Sequence, residues 1–285
     1  MTLSSITGLD HFVIRVPDLD RGEAALRRLG FFLTPRGFHA GRGSANHTVP
    51  LSDGNYFELL YFPPDQPSAF GGRNAVAEGP VAVALQTPDS RLVQSELKAA
   101  GYDVPLPRDL SRAVELPDGA HLARFLNTSF PKLKPAALSL FACQQLTRDL
   151  VWRPEWQVHP NGALGVTELT LVHPEPVELH ATYAALFPKV ALPHDEEMVI
   201  PLGRTTLRIL SPRGFASRNP GIALPPVLEA GWFAGATIRV ASRARLLDLL
   251  ASAGITPIAP PDGRVIIHQA DAAGTVLTFI EEAGE

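Results

Sequence analysis

Cysteine is almost absent from this sequence: Cys143 stands alone among 285 residues. A single thiol excludes an intrachain disulfide, and it excludes a zinc site built from several thiolates of this chain. Runs of basic residues are missing as well. Lys and Arg number 25 against 29 Asp and Glu, a formal net charge of −4, with no cluster able to follow a phosphate backbone, so nucleic acid is not an expected partner. No segment approaches the roughly 18 consecutive apolar residues of a membrane span. The stretch from Met1 to Asp10 carries neither a basic start nor a continuous apolar run, so a cytoplasmic protein without a membrane partner is expected. What remains is a chain with 45% apolar residues and a mean hydropathy of +0.07, long enough for one large domain or two ordinary ones.

A short grammar repeats along the chain: an apolar strand, a capping residue, an amphipathic helix and a break. The first copy runs Leu9-Asp-His-Phe-Val-Ile-Arg-Val16, then Pro17-Asp18, then a helix through Leu19, Leu26 and Leu29 stopped by Gly30. Asp18 is a good N-cap and Gly30 a good C-terminal stop. The second copy runs from Val81 through Pro88-Asp89 to Gly101, the third from Val166 to Pro188, and the fourth from Phe233 through Ser242 to Gly254. Three extended segments separated by turn residues follow each helix, for example Phe31 to Arg36, Ala45 to Leu51 and Tyr56 to Phe62. The unit is therefore βαβββ. The expected fold is α+β, with four such modules pairing into two cupped mixed sheets. A first domain over 1–147 (modules about 8–63 and 79–146), a linker over 148–165 and a second domain over 166–285 follow from the spacing of the copies.

Several segments resemble the vicinal oxygen chelate superfamily, and within it the glyoxalase-like domain proteins. They are Leu9 to Asp20, Thr34-Pro-Arg-Gly-Phe-His39, Gly41 to His47, Asp53-Gly-Asn-Tyr-Phe-Glu-Leu-Leu60, and Arg153-Pro-Glu-Trp156 with His159-Pro-Asn-Gly162. The resemblance implies that paired modules close around a cavity, where residues on first and last strands hold a divalent metal ion chelated by neighbouring substrate oxygens. The superfamily spans lyases, isomerases, epimerases, dioxygenases and resistance proteins, so the fold alone does not fix the reaction.

Strand alternation provides an independent reading of that site, because residues two apart share a face. Phe12, Ile14 and Val16 make one apolar face, leaving His11, Val13 and Arg15 on the other. Phe57, Leu59 and Tyr61 match that apolar face, leaving Tyr56, Glu58, Leu60 and Phe62 opposite. His11 and Glu58 are thus expected to meet as metal ligands, with Glu58 the catalytic candidate. An imidazole with a carboxylate suits Zn, Mn, Fe, Ni or Mg; a hydrogen-bonded His–Glu pair without metal is the alternative. The second, third and fourth first strands carry Ala82, Glu168 and Gly235 where His11 stands, and Arg208 and Thr278 replace Glu58 in the third and fourth copies. Further ligands are therefore sought at Gln144 or Gln145. His47, Arg15, Arg36, Tyr56, His121, Trp156 and His159 are pocket candidates, and Arg36, Arg42 and Arg15 are the cations available to an anionic group.

Three functions stay open at this stage. One is a metal-dependent lyase, isomerase or related Lewis-acid enzyme on a small oxygen-bearing substrate. The second is a non-catalytic small-molecule binding or sequestering protein of the bleomycin-resistance type. The third is an extradiol-type dioxygenase, which the four-module length alone suggests. Association into a homodimer also stays open.

Overall fold

The computed structural model describes residues 2–39, 43–63, 78–194 and 196–282. The first module places β1 (Gly8–Arg15), α1 (Leu19–Arg28), β2 (Gly37–Phe38), β3 (Ala45–Pro50) and β4 (Tyr56–Tyr61); the second places β5 (Gly79–Gln86), α2 (Ser90–Ala99), β6 (Arg108–Leu116), β7 (Gly119–Ser129) and β8 (Ser139–Gln145). The helix starts are chemically alike. The Asp18 side chain accepts from Arg21 N, and the Asp89 side chain accepts from Arg91 N and Leu92 N. Each satisfies backbone donors that the first helical turn would otherwise leave unpaired. Gly30 and Gly101 end the helices with φ of +80° and +89°, a conformation that costs a residue with a Cβ.

These strands form an eight-stranded sheet in the order β2-β3-β4-β1-β5-β8-β7-β6. The order is palindromic by module. β1 and β5 meet antiparallel at the seam, and each is flanked by the last strand of its own module in parallel. An isolated bridge between His39, which follows β2, and Arg112 of β6 joins the two ends. The sheet is therefore nearly closed, a cup with an inside and an outside.

The second sheet contains β9 (Ala163–Val172), β10 (Glu197–Leu202), β11 (Thr205–Leu210), β12 (Trp232–Val240), β13 (Val265–Ile267) and β14 (Val276–Glu281), with α3 (His180–Leu186), α4 (Pro212–Arg218) and α5 (Arg243–Ser252) between them. Its order, β10-β11-β9-β12-β14-β13, repeats the palindrome with one strand fewer on each side. The expected first strand after each helix is reduced to single bridges, His194 with Glu197 and Ile258 with Ile266. Pro188 and Pro193 bracket the first of these segments, and Pro257, Pro260 and Pro261 the second. Proline brings no N–H to a ladder, so these stretches cannot extend as paired strands. The same reason shortens the segment from Phe31 to Arg36, where Pro35 precedes the two-residue β2.

The outside of the cup supplies the core. Phe12 stacks on Phe57 with ring centroids 5.4 Å apart and meets Phe233 of β12 at 6.3 Å, while Phe31 stacks on Phe279 of β14 at 6.0 Å. Leu26, Leu97, Leu246 and Leu250 from three helices join the same cluster. Each such fully buried side chain contributes about 1.5–3 kcal/mol of transfer free energy, so the two sheets share one apolar interior. The connection between the sheets carries two 3₁₀ turns, Arg148–Leu150 and Pro154–Trp156. Among the described residues no helix is long and apolar enough to cross a membrane.

Candidate functional site

The inside of the cup is where alternation aims the polar residues. β1 and β4 run parallel with His11 opposite Tyr56 and Val13 opposite Glu58, which puts His11 and Glu58 on one face. The His11 ring stacks on Tyr56 at 4.2 Å with planes 17° apart, and it meets the edge of Phe141 at 5.5 Å. Both His11, 4% exposed, and Glu58, 7% exposed, are buried.

The two imidazole nitrogens have different partners. Nδ1 lies 2.7 Å from Asp10 Oδ1, and Nε2 lies 3.8 Å from Glu58 Oε2. The first is a hydrogen bond; the second is too long for one. Glu58 Oε1 accepts from Asn46 Nδ2 at 2.6 Å and stands 3.9 Å from His39 Nε2. Asp10 also accepts from Gln145 Nε2 at 2.9 Å. A carboxylate on one imidazole nitrogen fixes the tautomer and leaves the other free for a metal, the usual support of a metal-bound histidine.

The donor set fits a divalent ion on the Nε2 side. His11 Nε2 and Glu58 Oε2 are at a separation that metal bonds of about 2.0–2.2 Å each can span. Asp10, His11 and Cys143 also bring donor atoms within 4.8 Å of one another. On that side, however, the 2.7 Å contact leaves no room for an ion between Asp10 and Nδ1. Burial pushes the Cys143 thiol well up, with the Asp10 and Glu58 charges adding to the effect, so the sulfur is a neutral thiol. Burial likewise raises the Tyr56 phenol, reinforced by Asp10, Cys143 and Glu58 and opposed by Arg112. The Tyr56 phenol therefore stays protonated and is not a base.

Gln145 shares the inward row of β8 with Phe141 and Cys143, whereas Gln144 points the other way and accepts from Ser90 N at the start of α2. His47 sits on the outside of β3, with Nδ1 on Thr34 O at 2.7 Å and Nε2 3.3 Å from Glu23 of α1. His121 pairs with Asp118 at an exposed hairpin, and Arg36 pairs with Asp20 on the surface. His159 accepts from Phe32 N and donates to Pro50 O, and burial lowers its pKa. Trp156 is buried with Tyr56 and Val151 in the cluster filling one side of the cup, and Trp152 packs edge-on against Tyr56 at 5.3 Å. Arg15 closes β1 on the same row as His11 and is half-buried. Arg42 lies outside the described residues.

Asp10, Asn46, His39 and Arg112 join the site without having been singled out by sequence. Alternation assigns Asp10 to the outer face, but a register irregularity between Leu9 and His11 turns it beside the imidazole. Arg112 is legible in hindsight: Leu110, Arg112, Val114 and Leu116 occupy the inward phase of β6, and a charge in that phase is conspicuous.

The other modules hold different chemistry at the matching places. In the second, the register puts Ala82 at the His11 position and Phe141 at the Glu58 position. In the third they are Glu168 and Arg208, joined to each other at 2.6 Å with Glu197 as a second carboxylate at 2.5 Å. In the fourth they are Gly235 and Thr278.

Paired modules, parallel flanking strands and an inward histidine and carboxylate define a protein of the vicinal oxygen chelate type. The chain belongs to the glyoxalase-like domain family, whose profile matches residues 9–187. No curated protein matches the sequence. Among solved structures, a hypothetical protein from Staphylococcus aureus is similar at a TM-score of 0.68 and 14% identity, covering 96% of this chain and 99% of its own. A Mn(II)-bound glyoxalase from Novosphingobium aromaticivorans is similar at 0.57 and 16%, over 99% of this chain and 84% of its own. A mutant of 4-hydroxymandelate synthase from Streptomyces coelicolor is similar at 0.58 and 12%, over 98% and 94%. At such identities the likeness establishes the fold.

Proposed function

We propose that this protein is a divalent-metal-dependent enzyme acting on a small oxygen-bearing organic molecule, with lyase or isomerase chemistry. The observation that carries the reading is the His11 imidazole, held by Asp10 at Nδ1 and presenting Nε2 to Glu58 across 3.8 Å. His11 and Glu58 would hold the ion, with an N and O donor set suited to Mn, Fe, Ni or Zn. Bound there, it would supply Lewis acidity that polarises a carbonyl. Glu58 offers two unlike oxygens. Oε1 is occupied by the Asn46 amide, and Oε2, facing His11, is the atom that would hold the ion or, released from it, accept a proton from a ligand. Tyr56 stacks on the imidazole and Phe141 meets it edge-on at 5.5 Å, so the two rings limit its rotation.

Metal analysis and calorimetric titration of the purified protein test the reading. A stoichiometric divalent ion is expected, lost in His11→Ala and in Glu58→Gln. Absence of any such ion from the wild-type protein, and no uptake on titration, removes it.

A specific observation favours a second reading, a binding or sequestering protein without chemistry. Ala82 and Phe141 leave half of the cup without ligand atoms at the matching positions. Metal-independent binding of an aromatic compound that survives His11→Ala and Glu58→Ala supports that reading, and metal-dependent turnover excludes it. The extradiol reading places its ligands in the second pair of modules, where the Glu168–Arg208 ion pair, Gly235 and Thr278 stand instead.

A further inference from the structure

We propose that Arg112 anchors a carboxylate of the substrate inside the first cup, next to His11 and Glu58; the proposal rests on that site being the binding chamber. Arg112 is 4% exposed on the inward row of β6. Among the described residues no Asp or Glu carboxylate lies within 4.0 Å of it, and its Nη2 is buried without a hydrogen-bond partner. The other inward-leaning arginines are not left so. Arg208 holds Glu168 and Glu197, and Arg239 holds both oxygens of Asp53. A buried guanidinium without a counter-ion is costly to maintain, and such a group is expected where a ligand completes it.

The surroundings say what the ligand is. Gly37, on the strand beside it, lets the guanidinium and the Asn46 amide pack close together: a Cβ there would stand 3.1 Å from Arg112 Nη1 and closer still to Asn46 Oδ1. Asn46, which flanks the same glycine as Arg112, donates its amide to Glu58 Oε1 at 2.6 Å, so an anion on Arg112 reaches toward the His11–Glu58 pair. Asp10 and Glu58 already bring two carboxylates into the cup, and a dianion such as a phosphate monoester would meet both. One guanidinium balances one negative charge, and its planar fork matches a carboxylate in two parallel hydrogen bonds. Asp10 Oδ2, Asn46 Oδ1 and Gln145 Oε1 are also buried without partners; these acceptors suit hydroxyl groups on the same ligand. The apolar wall of Val114, Ala123, Phe125 and Phe141 suits a hydrocarbon or aromatic body.

The test measures binding of benzoate, benzamide and phenyl phosphate to the full chain by ligand-observed NMR, with and without added Mn²⁺. Benzoate is expected to bind at least tenfold more tightly than either benzamide or phenyl phosphate. Arg112→Met should remove that preference and weaken benzoate at least tenfold, while Arg112→Lys, which keeps the charge, retains part of it; circular dichroism checks that each variant is folded. Benzoate binding is read without Mn²⁺ as well as with it, so a failure of the metal reading leaves this result standing. Equal affinity for benzoate and benzamide in the wild-type protein, tighter binding of phenyl phosphate, or unchanged benzoate affinity in a folded Arg112→Met protein overturns the inference, even where the metal binds as proposed.

Discussion

Asp10 and His11, neighbours in sequence, face each other inside the cup, with Oδ1 and Nδ1 2.7 Å apart. Adjacent residues of a regular strand point to opposite faces, so this contact exists only because the pairing of β1 with β5 slips between Leu9 and His11. The slip converts a residue that alternation sends outward into the orienting partner of the imidazole. Removing that partner should act on metal affinity and not on the fold. Asp10→Ala is expected to weaken divalent-ion binding about 10- to 100-fold, the usual cost of deleting a group that orients a metal-bound histidine. Competition with a chromogenic chelator measures it; an affinity equal to wild type would show that Asp10 plays no part in holding His11.

Gly165 of β9 lies against the Asp53 carboxylate, and a Cβ there would overlap it. Asp53 in turn takes two hydrogen bonds from Arg239 of β12, at 2.6 and 2.7 Å. Gly165→Ala should therefore destabilise the protein by about 1–3 kcal/mol, the range for overpacking. Adding Asp53→Ala removes the two nearest atoms, Oδ2 and Cγ, and leaves only the Cβ at 2.7 Å, so the double variant should be more stable than the sum of the two single losses. Urea denaturation of the four proteins reads the coupling, and strict additivity would refute the contact.

The opposite case is Gly235, whose added Cβ would overlap the backbone carbonyl of Val276 on the paired strand β14. Backbone in a ladder cannot swing aside as a side chain can. Gly235→Ala is expected to cost about 3 kcal/mol or more, the upper end of overpacking, seen as a lowered unfolding midpoint or loss of soluble protein. A variant within the error of wild type would contradict the close approach of the two strands.

His159 accepts from Phe32 N and donates to Pro50 O, and its burial holds the imidazole below the usual histidine value despite the Pro50 bond. As pH falls through the unfolded value near 6.5, the unfolded chain takes up a proton that the folded chain refuses. Stability is therefore present above that pH and is lost as pH drops toward the lower folded pKa. Urea midpoints measured at about pH 7.5 and about pH 5.5 should fall further in the wild-type protein than in His159→Gln. Identical pH slopes would show that the residue does not contribute.

What the sequence made legible was periodic. Asp18, Gly30, Asp89 and Gly101 announce two helices because caps and stops need particular side chains, and the faces of β1 and β4 follow from alternation. Gln145 could have been separated from Gln144 by the same rule, since it shares its phase with Phe141 and Cys143. The rest depends on contacts that no local pattern encodes. His39 approaches Glu58 only because the sheet curls until β2 meets β6. Asp10 depends on one irregular pairing, and the shortened second sheet depends on prolines where the repeat suggested strands.

The palindromic strand order has a further consequence. Its backbone is close to two-fold symmetric, yet His11 and Glu58 face Ala82 and Phe141 across the pseudo-axis. The flanks of the cup therefore differ: the His11–Glu58 pair lies on one, and Phe141 with Arg112 and Gln145 on the other. The chamber is in this sense handed, although its scaffold is built from two copies of one motif.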